Sequence, residues 1–308
     1  MEVYEKYPLI ENFLTNIAYV NITNEYKQTM LKVSGDQEIL IEETMNESTR
    51  VLLFCMGGLN SHSGSAYVAS FVSEMIKKNY KIFIVNHRGI GSSLNEKSTL
   101  SIHTDDKIID VALNYIRSII PNPRLYACGV SLGSHIITNY ISGNPDVFIA
   151  FVSFSNYFCP FSQIQVIESS KYLNYYVVFT YINLMRKMGV SNSDLLSCVL
   201  ATNPIRYICE NLLFHYHDKI KDWKTFFDQS NLLILDKIKT PCLFVNSEND
   251  LFTNKDMLHM IKEKYESSYL HFIILKTGSH VGYSKEQMRD YSCDFFSHVD
   301  NVTIGNEK

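Results

Sequence analysis

The run RLYACGVSLGSHIITNYI, residues 124–141, joins two patterns. Its first part, RLYACGV, is a short and almost continuous apolar stretch, as expected of a strand covered on both faces of a sheet. Its second part, SLGSHIITNYI, repeats apolar residues at roughly helical spacing. The junction is the pentapeptide Gly129-Val130-Ser131-Leu132-Gly133, a G-x-S-x-G sequence. A serine at such a strand-to-helix turn is held with its hydroxyl clear of the sheet. Gly129 and Gly133 are required where a Cβ would strike the crossing elements. The start of the helix also presents backbone N–H groups, notably that of Leu132, where negative charge develops on a substrate oxygen. The alternative, an ordinary turn with a capping serine, does not need both flanking elements.

Reading outward, similar apolar runs occur at RVLLFCMGG (50–58), YKIFIVNHRG (80–89) and DVFIAFVSFS (146–155). Helical spacing fills 67–78, 104–119 and 132–142. This alternation predicts an α/β fold with a mostly parallel sheet covered by helices on both faces. Residues 29–43 predict an antiparallel strand pair turning at Ser34-Gly35-Asp36, at the sheet edge. The alternation breaks over 156–235, about 80 residues of Tyr- and Leu-rich helical stretches. It resumes at TPCLFVNSEND (240–250), with a helix over 254–265, a strand within YLHFIILKTGSH (269–280) and a closing helix near Lys285 to Phe296. The 156–235 segment is therefore expected as a helical cap inserted within a single domain spanning 1–308.

A serine hydroxyl needs a base to accept its proton and a carboxylate to hold that base in the right tautomer. Among ten histidines, His280 alone lies in a Gly-flanked loop directly after the last expected strand. His103, His215, His217, His259 and His271 fall in loops or helices without that placement. Asp250 closes the strand PCLFVNSEND and gives the chain order Ser, Asp, His expected for a nucleophile of this kind. Glu248 and Asp256 are its local competitors, and a turn-forming role for Asp250 stays open. A second oxyanion donor must come from the loop after RVLLFCM, where Gly57 and Gly58 let the backbone approach a carbonyl and the N–H of Leu59 is the candidate.

That loop lacks the spacing and lysine of a P-loop and the G-x-G-x-x-G of a dinucleotide site. In the turn His87-Arg88-Gly89-Ile90-Gly91-Ser92, Arg88 is expected to tie loops together. No metal motif and no cofactor signature is present. Tyr172, Tyr175, Tyr176, Phe179 and Tyr181 recur at helical spacing; they are read either as packing or as the lining of an acyl pocket.

Composition agrees. With 46% hydrophobic and 19% charged residues the 308-residue chain can bury a large core, which excludes disorder. A net charge of -4 gives no surplus to neutralise a phosphate backbone, so no nucleic-acid partner is expected. Seven cysteines without a CxxC pair fit a reduced, cytoplasmic setting. The acid-bearing N-terminal stretch is not expected to be a signal peptide, and the apolar run 175–185 is too short to cross a bilayer but could touch a lipid surface. Sequons at Asn21, Asn46 and Asn301 carry no expectation of glycosylation without a targeting signal.

GGLNSHSGSAYV (57–68), NHRGIGSS (86–93), GVSLGSHIITNY (129–140), PCLFVNSENDLF (241–252) and GSHVGY (278–283) together resemble the α/β-hydrolase superfamily. Within it they resemble the YheT-like esterase group, which includes membrane-anchored animal lipases. The resemblance runs from about residue 50 to 285. It implies an α/β-hydrolase fold, a triad of Ser131, Asp250 and His280, oxyanion donors at Leu59 and Leu132, and hydrolysis of small-molecule or lipid esters. The chain departs from the group at Gly57 (usually His or Pro), Asn249 (usually acidic), Leu251 (usually Pro) and Ser134 (usually Gly), and the stretch before FFDQSNLL is shortened. The anchor of the animal relatives is not carried over. Other readings are thioester or amide hydrolysis, acyl transfer, and a catalytically silent scaffold that binds a ligand or protein.

Overall fold

In the computed structural model, Tyr26–Ser34 (β1) and Gln37–Thr44 (β2) form the expected antiparallel pair. The described residues are 24–35, 37–58, 61–88, 105–187, 190–213, 221–228 and 230–306. Six further strands follow: Arg50–Cys55 (β3), Lys81–Val85 (β4), Arg124–Val130 (β5), Ala150–Phe154 (β6), Cys242–Ser247 (β7) and Leu270–Leu275 (β8). The sheet order is β1-β2-β4-β3-β5-β6-β7-β8; β2 meets β4 antiparallel, and β4 through β8 are parallel.

Alternation along the strands explains the two layers. In β3, Val51, Leu53 and Cys55 face one core, where they meet Ile108, Ile109 and Ile116 of helix Lys107–Ile119 and Ile136 and Ile137 of helix Leu132–Gly143. Leu52 and Phe54 face the other, against Val68, Phe71 and Val72 of helix Ala66–Lys77 and Phe296 of helix Lys285–Asn306. Both faces of the central strands are thus apolar, which is why they read as unbroken runs. We label these helices α1 (66–77), α2 (107–119) and α3 (132–143). Between β6 and β7 lie Pro160–Ser169 (α4), Lys171–Lys187 (α5), Asn192–Leu200 (α6), Pro204–Ile208 (α7) and Trp223–Phe227 (α8); Lys255–Tyr265 (α9) and Lys285–Asn306 (α10) complete the set.

The chain crosses from β4 to β5 on opposite sides of β3, so the connection direction reverses there and opens a crevice beyond the strands' C-terminal ends. Ser131 follows β5 directly at that point.

Helices α4 to α8 have a core of their own, formed among others by Ile164, Leu173, Val178, Ile182, Leu195 and Phe226. Pro160 and Pro204 occupy first-turn positions, where the missing N–H costs nothing. Ser191 caps α6 and Asp222 starts α8 in a reciprocal pair with Thr225. No strand occurs among the described residues between β6 and β7, although those two strands are paired neighbours. α10 runs ten residues past the expected Phe296, to Asn306. Its extension is held from the sheet: Asp300 accepts from the Tyr126 hydroxyl at 2.6 Å and from Arg124 Nη2 at 2.8 Å, and Val299 is buried. Beyond Phe296 the helix is held by the polar side chain of Asp300 as well as by Val299, which is why apolar spacing alone does not extend it. Among the described residues no helix is long and apolar enough to cross a membrane.

Candidate active site

Ser131 sits between β5 and α3 with φ 51° and ψ -115°, a conformation non-glycine residues rarely hold. Its N–H donates to the Phe154 carbonyl at 2.9 Å, and its carbonyl accepts from the His135 N–H at 3.0 Å, so the strained residue is fixed on both sides. The flanking glycines are sterically required. A Cβ on Gly129 would lie 2.6 Å from Ser134 Cα, and one on Gly133 would overlap the carbonyl oxygens of Cys55 and Met56. The helix therefore packs closely against the end of β3, and the side chain of Ser131 has nowhere to go but outward.

His280 Nε2 lies 2.8 Å from Ser131 Oγ, and His280 Nδ1 lies 2.8 Å from Asp250 Oδ2 and 3.0 Å from Oδ1. A carboxylate only accepts, so Nδ1 carries the proton and Nε2 presents its lone pair to the serine hydroxyl. The Asp250 carboxylate is wholly buried and also accepts from the Phe252 N–H at 2.7 Å and the Thr253 hydroxyl at 3.3 Å. A buried carboxylate with this many donors is held in one orientation. The Phe252 ring lies against the imidazole, with centroids 4.6 Å apart. A hydroxyl facing an imidazole lone pair with a carboxylate behind it is the arrangement that proton abstraction from an alcohol requires.

The loop carrying His280 is held by groups that the sequence reading did not select. Ser279, with φ 48°, donates its N–H to Asn249 Oδ1 at 2.8 Å and accepts at its carbonyl from the Ser247 hydroxyl at 2.5 Å. The Ser155 hydroxyl donates to the His280 carbonyl and lies 2.9 Å from the Tyr283 hydroxyl. Ser155 also has positive φ, at 53°. Small polar residues at strand ends look like turn formers in a sequence; the one available signal was that Ser155, Ser247 and Asn249 all lie at C-terminal ends of parallel strands. Asn249, where the related group is usually acidic, serves here as an acceptor for a backbone amide.

The loop after β3 meets the elbow: a Cβ on Gly57 would be 3.8 Å from Ser131 Cβ, and one on Gly58 3.9 Å from Leu132 Cβ. The Gly57 N–H is already committed to the Tyr67 hydroxyl at 3.1 Å, which in turn donates to Ser61 Oγ at 2.8 Å. Burial pushes the Tyr67 phenol up to about 12, so it stays a neutral donor. Leu59, the expected donor, lies outside the described residues. His87 Nε2 donates to the Met56 carbonyl at 2.7 Å and braces the same loop; burial holds this imidazole below its ordinary pKa. Arg88 pairs with Asp105, tying the end of β4 to the approach to α2.

The competing carboxylate Glu248 is engaged by Lys255 at 3.1 Å and by His259 at 3.0 Å, and Asp256 lies in the first turn of α9. His271 Nδ1 lies 3.7 Å from Glu266 Oε1, away from Ser131, while His103, His215 and His217 lie outside the described residues. The tyrosines read as packing or as an acyl pocket divide by face. Tyr181 is partly buried against the α4–α8 core. Tyr172, Tyr175, Tyr176 and Phe179 lie on the outer face of α5 and are 86%, 43%, 58% and 68% exposed. The inward face of the same helix is supplied by Leu173, Val178, Ile182 and Met185. The helical spacing was legible, but several faces of α5 are apolar, and the pattern alone does not tell the inward one.

Residues 47–282 match the family described as serine aminopeptidase, S33. Human phospholipase ABHD3 is 22% identical over 296 residues, covering 89% of this chain and 70% of that protein. Protein abhd-3.2 of Caenorhabditis elegans is 24% identical over 253 residues, covering 79% and 67%. Among solved structures, the Pyrococcus furiosus esterase Pf2001 superposes with a TM-score of 0.60 at 12% identity, over 90% of this chain and 92% of that one. The match over most of the chain, the sheet order and the placement of Ser131 after β5 agree: the chain belongs to the α/β-hydrolase superfamily, in the serine aminopeptidase S33 family.

Proposed function

We propose that the protein is a serine hydrolase that cleaves carboxylic esters, with lipid acyl esters as the substrate class, through an acyl-enzyme on Ser131. The observation that carries this reading is the unbroken hydrogen-bonded series Asp250, His280, Ser131, with 2.8 Å at both links. Ser131 Oγ attacks the ester carbonyl carbon as its proton passes to His280 Nε2, and Asp250 offsets the imidazolium charge. The oxyanion is received by the N–H of Leu132 at the start of α3 and by that of Leu59. His280 returns the proton to the departing alcohol; water, deprotonated by the same nitrogen, then attacks the acyl carbon, the Ser131 Oγ–acyl bond breaks to release the acid, and the proton passes back from His280 to Ser131 Oγ. The ester and lipid parts draw support from the relatives' names, a phospholipase and an esterase.

We read residues 156–235 as a cap within one domain, supported by the pairing of β6 with β7 across it. Phe252 supports a location for the cap near the site, since its ring packs both on His280 and against the α4–α8 core.

Fluorophosphonate labelling and an ester series of increasing acyl length, run on wild type and Ser131→Ala, test the reading. Labelling and turnover are expected in wild type and lost in the variant. Undiminished labelling and hydrolysis in Ser131→Ala would remove the nucleophile. Wild type that is inert to both would favour a silent scaffold, and transfer to glycerol in preference to water would make the enzyme an acyltransferase.

A further inference from the structure

The outer face of α5 calls for a partner that the ester-cleaving site does not supply. Tyr172, Tyr176 and Phe179 stand at i, i+4 and i+7 on one helix, so they form a single stripe, and each is more than half exposed. Helix α6 packs against α5 and exposes Leu196 and Leu200 in the same i, i+4 relation. Two adjacent helices thus leave apolar surface uncovered, while Leu173, Val178, Ile182 and Met185 of α5 and Leu195 and Cys198 of α6 are buried in the core beneath.

The charges carried by α5 itself have one sign, and Asp194 stands in the first turn of α6. Between Glu168 and Asp194 the chain carries Lys171, Arg186 and Lys187 and no carboxylate, although the whole protein is net -4. Arg186 is exposed and lies seven residues beyond Phe179, which brings it back to the same face. Tyrosines with an apolar body and a polar tip, bordered by cations, match the chemistry of a bilayer interface bearing anionic headgroups. A second copy docked through this face by a two-fold axis would set cations against cations with no carboxylate on α5 to offset them.

We propose that the outer face of α5, extended by α6, docks the protein onto anionic lipid bilayers. Helix α5 lies flat in the headgroup region with its aromatic stripe inserted, and Lys171 and Arg186 reach the phosphates. The core beneath α5 also packs against Phe252, so the docked helix and the proposed active site flank the same core.

Co-sedimentation of the full chain with vesicles of phosphatidylcholine, alone or with about one-fifth phosphatidylserine, tests this. Partitioning onto the anionic vesicles is expected to be about tenfold stronger or more, and to weaken as salt rises. The triple variant Tyr172→Ser/Tyr176→Ser/Phe179→Ser and the double variant Lys171→Gln/Arg186→Gln should each lower it about tenfold while circular dichroism and melting stay unchanged. Equal binding to neutral and anionic vesicles, no binding to either, or wild-type partitioning in a folded triple variant overturns the proposal. So does a dimer in sedimentation velocity that the triple variant dissolves, because the face then belongs to a second copy. If the triple variant loses its fold, the double variant decides alone. Vesicle binding is read without turnover, so its outcome is independent of the ester-hydrolase reading.

Discussion

The hydroxyl of Ser155 donates to the backbone carbonyl of His280, joining the residue just past β6 to the loop that carries the imidazole. Ser155 touches neither Asp250 nor Ser131 among the described hydrogen bonds; it acts on the position of His280. The same hydroxyl meets Tyr283, itself bonded to the Val245 carbonyl at 3.3 Å, so the loop is referenced to two strands.

Ser155→Ala is therefore expected to lower kcat for a soluble ester about tenfold with little change in KM, because a small displacement of the base costs rate more than binding. Ser155→Gly should share that kcat loss while recovering about 1 kcal/mol of stability relative to Ala, since glycine accepts the positive φ freely. Equal kcat in wild type and both variants would remove the positioning role.

Gly133→Ala places a methyl into the carbonyls of Cys55 and Met56, which are backbone and have little room to shift. We expect a loss of about 3 kcal/mol or more, read as a large drop in melting temperature or in soluble yield. A variant that melts with wild type would mean that α3 can move off β3.

Asp250→Asn keeps the shape but can place an amide donor toward His280 Nδ1. The imidazole then accepts at Nδ1 and carries its proton on Nε2, facing Ser131 with the wrong tautomer. Turnover should fall by about 10³-fold or more with labelling slowed in parallel, while the Phe252 N–H contact is kept through the amide oxygen. A loss of tenfold or less would point to another acceptor for Nδ1.

His87 supplies a pH dependence with a defined sign. Burial is the main cause that holds its pKa below the ordinary 6.5, so the unfolded chain takes up this proton first as pH falls. Its contribution is full above about pH 6.5 and is lost progressively below it, through the lower folded value. In urea unfolding, His87→Gln should flatten the acid decline by up to about 1.4 kcal/mol per pH unit over that window, with the side-chain amide able to replace the bond to Met56. An unchanged acid slope would show that His87 is protonated equally in both states.

The central strands were legible because they are apolar on both faces, and Gly129-Val130-Ser131-Leu132-Gly133 because each glycine answers a steric demand visible as spacing. His280 and Asp250 were legible as residues at strand ends, and the structure brings His280 to Ser131 and Asp250 to the far side of His280. The supports were not legible: Ser155, Ser247 and Asn249 act through single hydrogen bonds to a backbone that is remote in sequence. The outward face of α5 was hidden for a different reason. Its aromatics obey the same period as its inward residues, and only tertiary packing distinguishes the two.

Phe252 belongs to two structures at once, its ring against His280 and the residue packed against the α4–α8 core. The practical boundary for transplanting the 156–235 segment between relatives therefore does not coincide with the ends of that segment. A chimera cut at β6 and β7 would pair a foreign helical layer with the native Leu251 and Phe252, leaving a mismatched joint two residues from Asp250. Carrying 251–252 along with the graft moves that joint away from the carboxylate, so the transferable unit is discontinuous in sequence.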